Sequence, residues 1–273
     1  MARLPYTAAM PTIKTNGINM AFQERGQGEP LILIMGLGAP GSIWEEHVKE
    51  YERHFHCFLL DNRGAGDSDK PNGPYTTQMM AEDVVGLMDA LKIPQARVAG
   101  ISMGSAIAQE LALAHPSKVR SMVLVSSWAR CDIYTLTVFE HFCRVRAQVL
   151  PETFTQLLQL WIFAAAHYEK KLTTLIEGQL AARQGIPMPQ HAFEAQSAAC
   201  VNHDTLDQLD RINVPTLLTV GDADIFTPQR LSEEIRQRLP GSMMEVFKGC
   251  GHAHHWEDLA RFNQITTDFL KAH

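Results

Sequence analysis

The sequence predicts an α/β fold: a mostly parallel, twisted sheet of eight strands, with helices on both faces and an inserted helical lid. Three observations lead there. Short apolar runs alternate with amphipathic helical stretches over residues 1–127 and again over 212–273, the pattern of a parallel sheet covered on both sides. Between Trp128 and Arg211 the alternation stops, and a block rich in Leu, Phe, Ala and Gln reads as several helices. At 273 residues, 45% of them hydrophobic, the chain is long enough for one well-buried domain carrying such an insertion.

The elements follow in order. Ile13 to Glu24 is broken by Asn16-Gly17, a hairpin signal, and supplies two strands at the sheet's edge. Leu31 to Met35 is the third strand, followed by a glycine-rich loop and a helix near Ile43 to Arg53. Phe55 to Leu60 is the next strand and ends at Asp61. Thr76 to Leu91 reads as a helix because Met80, Val84, Leu87, Met88 and Leu91 share one face. Ala96 to Ala99 is a short buried strand, and Met103 to His115 has the small and apolar spacing of a helix packed on a sheet. Val119 to Val125, Pro215 to Val220 and Met243 to Phe247 complete the strands, with helices near Pro228 to Leu239 and Trp256 to Lys271. Inside the helical block, Gly185 to Pro189 marks a break. A block inserted between two strands of a parallel sheet sits over the strands' C-terminal ends, where open α/β sheets take ligands. Residues 128–211 are therefore expected to form a lid between two core segments, 1–127 and 212–273.

Composition excludes several classes. A net charge of −6 leaves no basic footprint for nucleic acid and no attraction to an anionic membrane surface. No window is apolar enough to span a bilayer, and Met1 to Thr15 lacks the apolar core of a signal peptide. The five cysteines are scattered without metal-ligand spacing, as expected of reduced thiols in a cytoplasmic protein. The twelve histidines include no His-Glu-x-x-His helix, so no metal is expected. Met79, Met80, Met243 and Met244 read as core filling.

Gly100-Ile101-Ser102-Met103-Gly104 lies where a strand turns into a helix. A serine between two glycines at such a corner has the pattern of a nucleophile elbow. The bland alternative is a glycine-rich turn with a capping serine. In the elbow reading, Gly100 and Gly104 lack side chains so that a tight, strained turn can lift the Ser102 hydroxyl above the sheet. A serine nucleophile needs a base, and the base an orienting acid. Two later strand ends offer them: Gly221-Asp222-Ala223-Asp224 after Val220, and Gly249-Cys250-Gly251-His252 after Phe247. Asp222 competes with Asp224, Asp132 is a remoter option, and His254 and His255 compete with His252.

With these residues in place, the chain resembles the α/β-hydrolase fold family over nearly its whole length. The likeness rests on Gly36-Leu37-Gly38 after a strand, the segment Asp61 to Ser68, the elbow, Gly221 to Asp224 with Pro228, and Gly249 to His252. The resemblance implies Ser102 as nucleophile, His252 as base and Asp224 as acid. It also implies an oxyanion hole from the backbone N–H groups of Leu37 and Met103, and no cofactor. It makes Asp61-Asn62-Arg63-Gly64 a structural turn in which Arg63 braces carbonyls and carboxylates. One departure is Met35-Gly36 where many members have His-Gly, a change that dries the site or loosens the loop.

The family resemblance narrows to small bacterial methyl esterases, 3-oxoadipate enol-lactonases and aminoacrylate hydrolases, through the stretch Gly36 to Trp44. It implies hydrolysis of a small ester or lactone. Trp128, Trp161 and Ile225 are the candidates for pocket walls, with Trp44 behind them. Three alternatives use the same fold: a meta-cleavage C–C hydrolase, with Arg144, Arg146 or Arg183 holding the substrate's acid group; a cofactor-free perhydrolase; and a slow-turnover small-molecule receptor. The expected partners are a small-molecule substrate and, as an option, a second copy of the chain in a homodimer.

Overall fold

The computed structural model describes residues 10–184 and 188–273. Eight strands form one sheet: β1 (Thr12–Thr15), β2 (Ile18–Arg25), β3 (Glu29–Ile34), β4 (Phe55–Leu60), β5 (Ala96–Ile101), β6 (Val119–Val125), β7 (Thr216–Gly221) and β8 (Met243–Phe247). Their spatial order is β1-β2-β4-β3-β5-β6-β7-β8. Only the β1–β2 and β2–β4 pairs are antiparallel, so β2 alone runs against the other strands. The β1–β2 turn is Asn16-Gly17 with both φ angles positive, 40° and 80°, as a tight hairpin requires.

Period-2 alternation divides the apolar residues between the two faces. On β3, Ile32 and Ile34 face a layer that includes Met80, Leu87, Ile107 and Leu111, while Leu31 and Leu33 face Trp44, Tyr51, Phe262 and Leu270. The first layer is closed by α2 (Thr77–Ala90) and α3 (Met103–Ala114), the second by α1 (Glu45–Tyr51) and α11 (Leu259–Ala272). Thr76 caps α2 by accepting the Met79 amide at 2.9 Å. The helix expected over Trp256 to Lys271 is split into α10 (His254–Glu257) and α11, because Asp258 leaves helical backbone with φ −123° and ψ 62°. Met80 fills the core as expected, but Met243 is 47% exposed. It lies on β8, the edge strand, which only β7 pairs.

Between β6 and β7 the chain forms α4 (Ile133–Arg146), α5 (Pro151–Ile162), α6 (Ala165–Lys170), α7 (Leu172–Gln184) and α8 (Gln190–Val201). The break expected at Gly185 to Pro189 lies mostly outside the described residues. A 3-10 turn over Leu206–Arg211 leads back to β7, and α9 (Gln229–Arg238) joins β7 to β8. Gln196 of α8 ties this helical block to the core at two points. Its carbonyl accepts the Gly38 amide at 2.8 Å and its amide donates to the Arg63 carbonyl at 2.7 Å. Both partners lie just past strand C-terminal ends. Among the described residues, no helix is long and apolar enough to cross a membrane.

The β5–α3 corner sets a sharp test of packing. A Cβ on Gly104 would collide with the Ile34 carbonyl, and one on Gly100 with the Gly104 carbonyl. Backbone cannot step aside as a flexible side chain can. Gly104→Ala is expected to destabilise the fold by about 3 kcal/mol, measured by urea unfolding against Ala106→Gly on the same helix as a milder control.

Candidate active site

Ser102 stands between β5 and α3 with φ 53° and ψ −118°, a left-handed conformation that costs a serine on the order of 1–3 kcal/mol. The corner is held by packing: the Ser102 amide donates to the Val125 carbonyl of β6 at 2.8 Å. The hydroxyl is therefore presented at the C-terminal edge of the sheet, at the N-terminus of α3. Gly36, after β3, lies against it, and a Cβ there would stand 3.2 Å from Ser102 Cβ. Among the described residues, the backbone amides of Leu37 and Met103 have no hydrogen-bond acceptor. The Leu37 loop is held from two sides, at Gly38 by Gln196 and at Met35, whose carbonyl accepts from Asn62 Nδ2 at 2.8 Å. The Met35 side chain is buried in the Trp44 layer, and Asn62 anchors the loop through the Met35 carbonyl.

The loops after β7 and β8 meet at the same edge. Their backbones interlock through Ala223 N donating to the Cys250 carbonyl at 2.9 Å and Asp222 N to the Phe247 carbonyl at 3.2 Å. This brings His252 Nδ1 to 2.9 Å from Asp224 Oδ2, both residues buried. Asp224 Oδ1 accepts the amides of Phe226 and Thr227 at 2.8 and 2.9 Å. Burial pushes the Asp224 carboxyl up, but the adjacent His252 and these amides outweigh it and hold the group below the usual carboxylate range. The carboxylate accepts the Nδ1 proton, which leaves Nε2 as the basic nitrogen. Among the described residues, no hydrogen bond joins His252 Nε2 to Ser102 Oγ. Such bonds tighten only when substrate is present in many enzymes.

Rival residues have other partners. Asp222 accepts the Gly249 amide at 2.6 Å and faces Lys248 at 3.6 Å, bracing the loop before His252 from outside. Asp132 caps α4 through the Thr135 amide at 2.8 Å and pairs with Arg230. His254 lies between Thr219 Oγ1 at 3.0 Å and Ser126 Oγ at 3.4 Å, and His255 is 3.0 Å from His47. Both are buried in the core. Arg63 braces as expected, donating to the Asp83 carboxylate at 2.6 Å and to the Asn16 carbonyl at 3.3 Å. On this geometry, Asp224→Asn is expected to lower kcat by about 10⁴-fold, since a neutral amide no longer selects the imidazole tautomer. Asp222→Asn leaves kcat within about threefold by the same argument, a comparison made by steady-state kinetics on both variants.

Two residues that the sequence reading passed over contribute. Thr227 Oγ1 is 3.0 Å from both Asp224 Oδ2 and His252 Nδ1, and 3.2 Å from the Ser126 carbonyl. The spacing from Asp224 to Thr227 is that of a capping turn, a signal available in the sequence. Gln196 lies in another element altogether, and nothing local distinguishes it from other glutamines of α8.

The proposed pocket walls have separate fates. Trp128 is completely buried, packed against Phe139 and His203 with ring centroids 5.4 and 6.3 Å away, and offers no accessible wall. Ile225 is 49% exposed, pointing to solvent where its carbonyl accepts the Tyr134 hydroxyl at 2.6 Å. Trp44 is buried in the opposite layer. Trp161 borders a half-open hollow of about 180 Å³ with Tyr134, Val138, His141 and Phe142. Phe142 is 5.3 Å from Phe226, whose ring lies 5.0 Å from that of His252. A chain of aromatic rings thus links this hollow to the imidazole. Of the three candidate cations, Arg144 is exposed and pairs with Glu140 at 3.2 Å. Arg146 stacks on Phe193 at 4.6 Å and donates to Gln190 Oε1 at 2.6 Å, and the Arg183 side chain lies outside the described residues.

A protein of Azorhizobium caulinodans, provisionally named carbamate hydrolase RutD, is 27% identical over 259 residues, 95% of this chain and 94% of its own. The solved structure of Est816, described as an N-acyl homoserine lactone degrading enzyme, is 26% identical with a TM-score of 0.83 over 95% of this chain and all of its own. The enol-lactonase of Burkholderia xenovorans LB400 shares the fold, with 24% identity and a TM-score of 0.88 over 96% of this chain and 100% of its own. The model of the alpha/beta hydrolase fold matches residues 29–259, so this chain belongs to the α/β-hydrolase fold family.

Proposed function

We propose that the protein is a serine hydrolase that cleaves a small ester or lactone through an acyl-enzyme. The observation that carries the reading is the buried 2.9 Å pair of His252 Nδ1 and Asp224 Oδ2, at the sheet edge where Ser102 is held at φ 53°. His252 Nε2 takes the Ser102 proton as Oγ attacks the carbonyl carbon. The amides of Leu37 and Met103 receive the developing oxyanion, each worth about 2.7–4 kcal/mol in the transition state. His252 returns the proton to the leaving oxygen. Water, activated by the same nitrogen, then releases the acid. Likeness to proteins named for carbamate and lactone chemistry supports a carbonyl substrate with a heteroatom leaving group. A serine at the elbow argues against the branches of this family that use a carboxylate there.

The test is a panel of p-nitrophenyl acetate and butyrate, simple lactones, methyl esters and vinylogous diketone ring-cleavage products. A small ester or lactone is expected to exceed the diketones in kcat/KM by at least about tenfold, on the order of one hydrogen bond or more of transition-state discrimination. A diketone as best substrate moves the reading to C–C hydrolysis. A fluorophosphonate probe is expected to label Ser102, read by peptide mass spectrometry, and a different labelled residue overturns the site.

A further inference from the structure

The loop that carries His252 meets the inserted helices in a cluster that the hydrolytic reading leaves unused. Cys250, two residues before His252, is buried, and its Sγ lies 3.9 Å from His167 Nε2 of α6. The same His167 nitrogen is 3.9 Å from Glu257 Oε2 of α10. The three donor atoms all lie within 4.8 Å of one another. The Glu257 side chain has no exposure to solvent. It is oriented by two backbone amides, Ala164 N on Oε1 at 2.7 Å and Gly251 N on Oε2 at 2.9 Å. Each carboxylate oxygen retains a second lone pair.

We propose that His167, Cys250 and Glu257 form a site for a borderline-soft divalent cation of the zinc class, with solvent as the fourth ligand. One nitrogen, one sulfur and one carboxylate oxygen are a donor set that suits Zn²⁺ better than Mg²⁺ or Ca²⁺, which take oxygen shells. A tetrahedral Zn²⁺ site places its N, O and S donors roughly 3.3–3.7 Å apart. The two separations to His167 Nε2 are 3.9 Å and all three donor atoms lie within 4.8 Å, so a bound ion draws them together by up to roughly 1 Å. The carboxylate is already fixed by backbone, as ligands in built sites are by their outer partners. His167, with its side chain 20% exposed, supplies the entry path and the open position.

The site was invisible along the chain because His167 in α6 lies 83 residues from Cys250 in the loop after β8. An ion there would tie α6 to the residues on either side of His252, reinforcing contacts already made by Ala253 N on the Ile162 carbonyl at 2.8 Å. The metal-ligating form of cysteine is the thiolate, so binding must expel the Sγ proton to solvent as the S–metal bond forms, and affinity rises with pH.

The test is calorimetric titration of the chelator-treated, reduced protein with ZnCl₂, with CoCl₂ as a spectroscopic probe. One ion per chain is expected, with proton release, a thiolate-to-cobalt charge-transfer band, and a rise in Tm of about 5 °C at saturation. Cys250→Ser is expected to abolish the band, and Cys250→Ser and His167→Asn each to weaken binding at least tenfold. Neither side chain caps a backbone amide, so both variants are expected to fold, which their metal-free Tm values check. Absence of saturable binding overturns the proposal. So does binding that survives both substitutions, or cobalt binding without the charge-transfer band. None of these readouts depends on turnover, so their failure leaves the ester or lactone reading standing, and the reverse also holds.

Discussion

Ser102→Ala is expected to lower kcat/KM for the best ester or lactone by about 10⁴-fold or more, because no other group at the sheet edge replaces the hydroxyl. Residual turnover comes from the oxyanion amides and binding alone. Retention of wild-type turnover in this variant sinks the serine-hydrolase mechanism. The same position carries a stability signature that a mere turn would lack. Ser102 holds φ 53°. Alanine inherits that strain and glycine does not. Ser102→Gly is therefore expected to be inactive yet more stable than Ser102→Ala by about 1 kcal/mol, the strain relieved less the entropy that glycine adds to the unfolded chain. Equal stability of the two variants in urea would mean that the corner relaxes freely and stores nothing for function.

Acid lability is the second large effect. Three histidines are buried neutral beneath the candidate site. His47 donates Nδ1–H to Asn263 Oδ1 at 2.9 Å, which leaves its Nε2 to accept from His255 Nδ1–H at 3.0 Å. A proton added to His47 Nε2 would set it against the His255 Nδ1–H and break that bond. Burial lowers His47 to about 4 and His254 to about 3, and holds His255 well below its ordinary value. In the unfolded chain each titrates near 6.5. Below that pH the unfolded state binds protons that the folded state refuses, so stability falls as pH falls. The loss begins near pH 6.5 and is steepest above about pH 4, where His47 charges in place, and it continues below that through His254 and His255. With three protons at stake, the slope approaches about 4 kcal/mol per pH unit near pH 5. Asp61, whose carboxyl burial pushes up, takes a proton early and offsets part of this. Urea midpoints between pH 7.5 and 4.5 measure it. A flat profile would show that these rings are charged or solvated in the folded state.

Much of the architecture was legible because its causes are local. Alternation marked β3, β4 and β6, the turn pair Asn16-Gly17 marked the hairpin, and the apolar stripe of α2 marked its length to within a residue or two. The split at Asp258 and the exposure of Met243 were not, since one is a break in a continuous apolar pattern and the other depends on which strand ends at the edge. The site was legible at the same level. Each of Ser102, Asp224 and His252 follows a strand, and parallel strands deliver their C-terminal loops to one side.

The sequence by itself determined the layered α/β architecture, the elbow and the side of the sheet on which chemistry is possible, because backbone periodicity and turn chemistry are properties of neighbours. Only the tertiary structure decided which side chains meet. Asp222 and Asp224 are two residues apart, yet one braces Gly249 and the other reaches the imidazole. Trp128, Trp161 and Ile225 are similar in hydrophobicity, yet one is core, one borders a hollow and one faces solvent. Gln196 and Glu257 hold loops that lie 158 and 93 residues away in the chain. The reason is physical. These partnerships depend on the register of non-consecutive strands and on how the inserted helices pack against them, and neither leaves a mark in any local stretch of sequence.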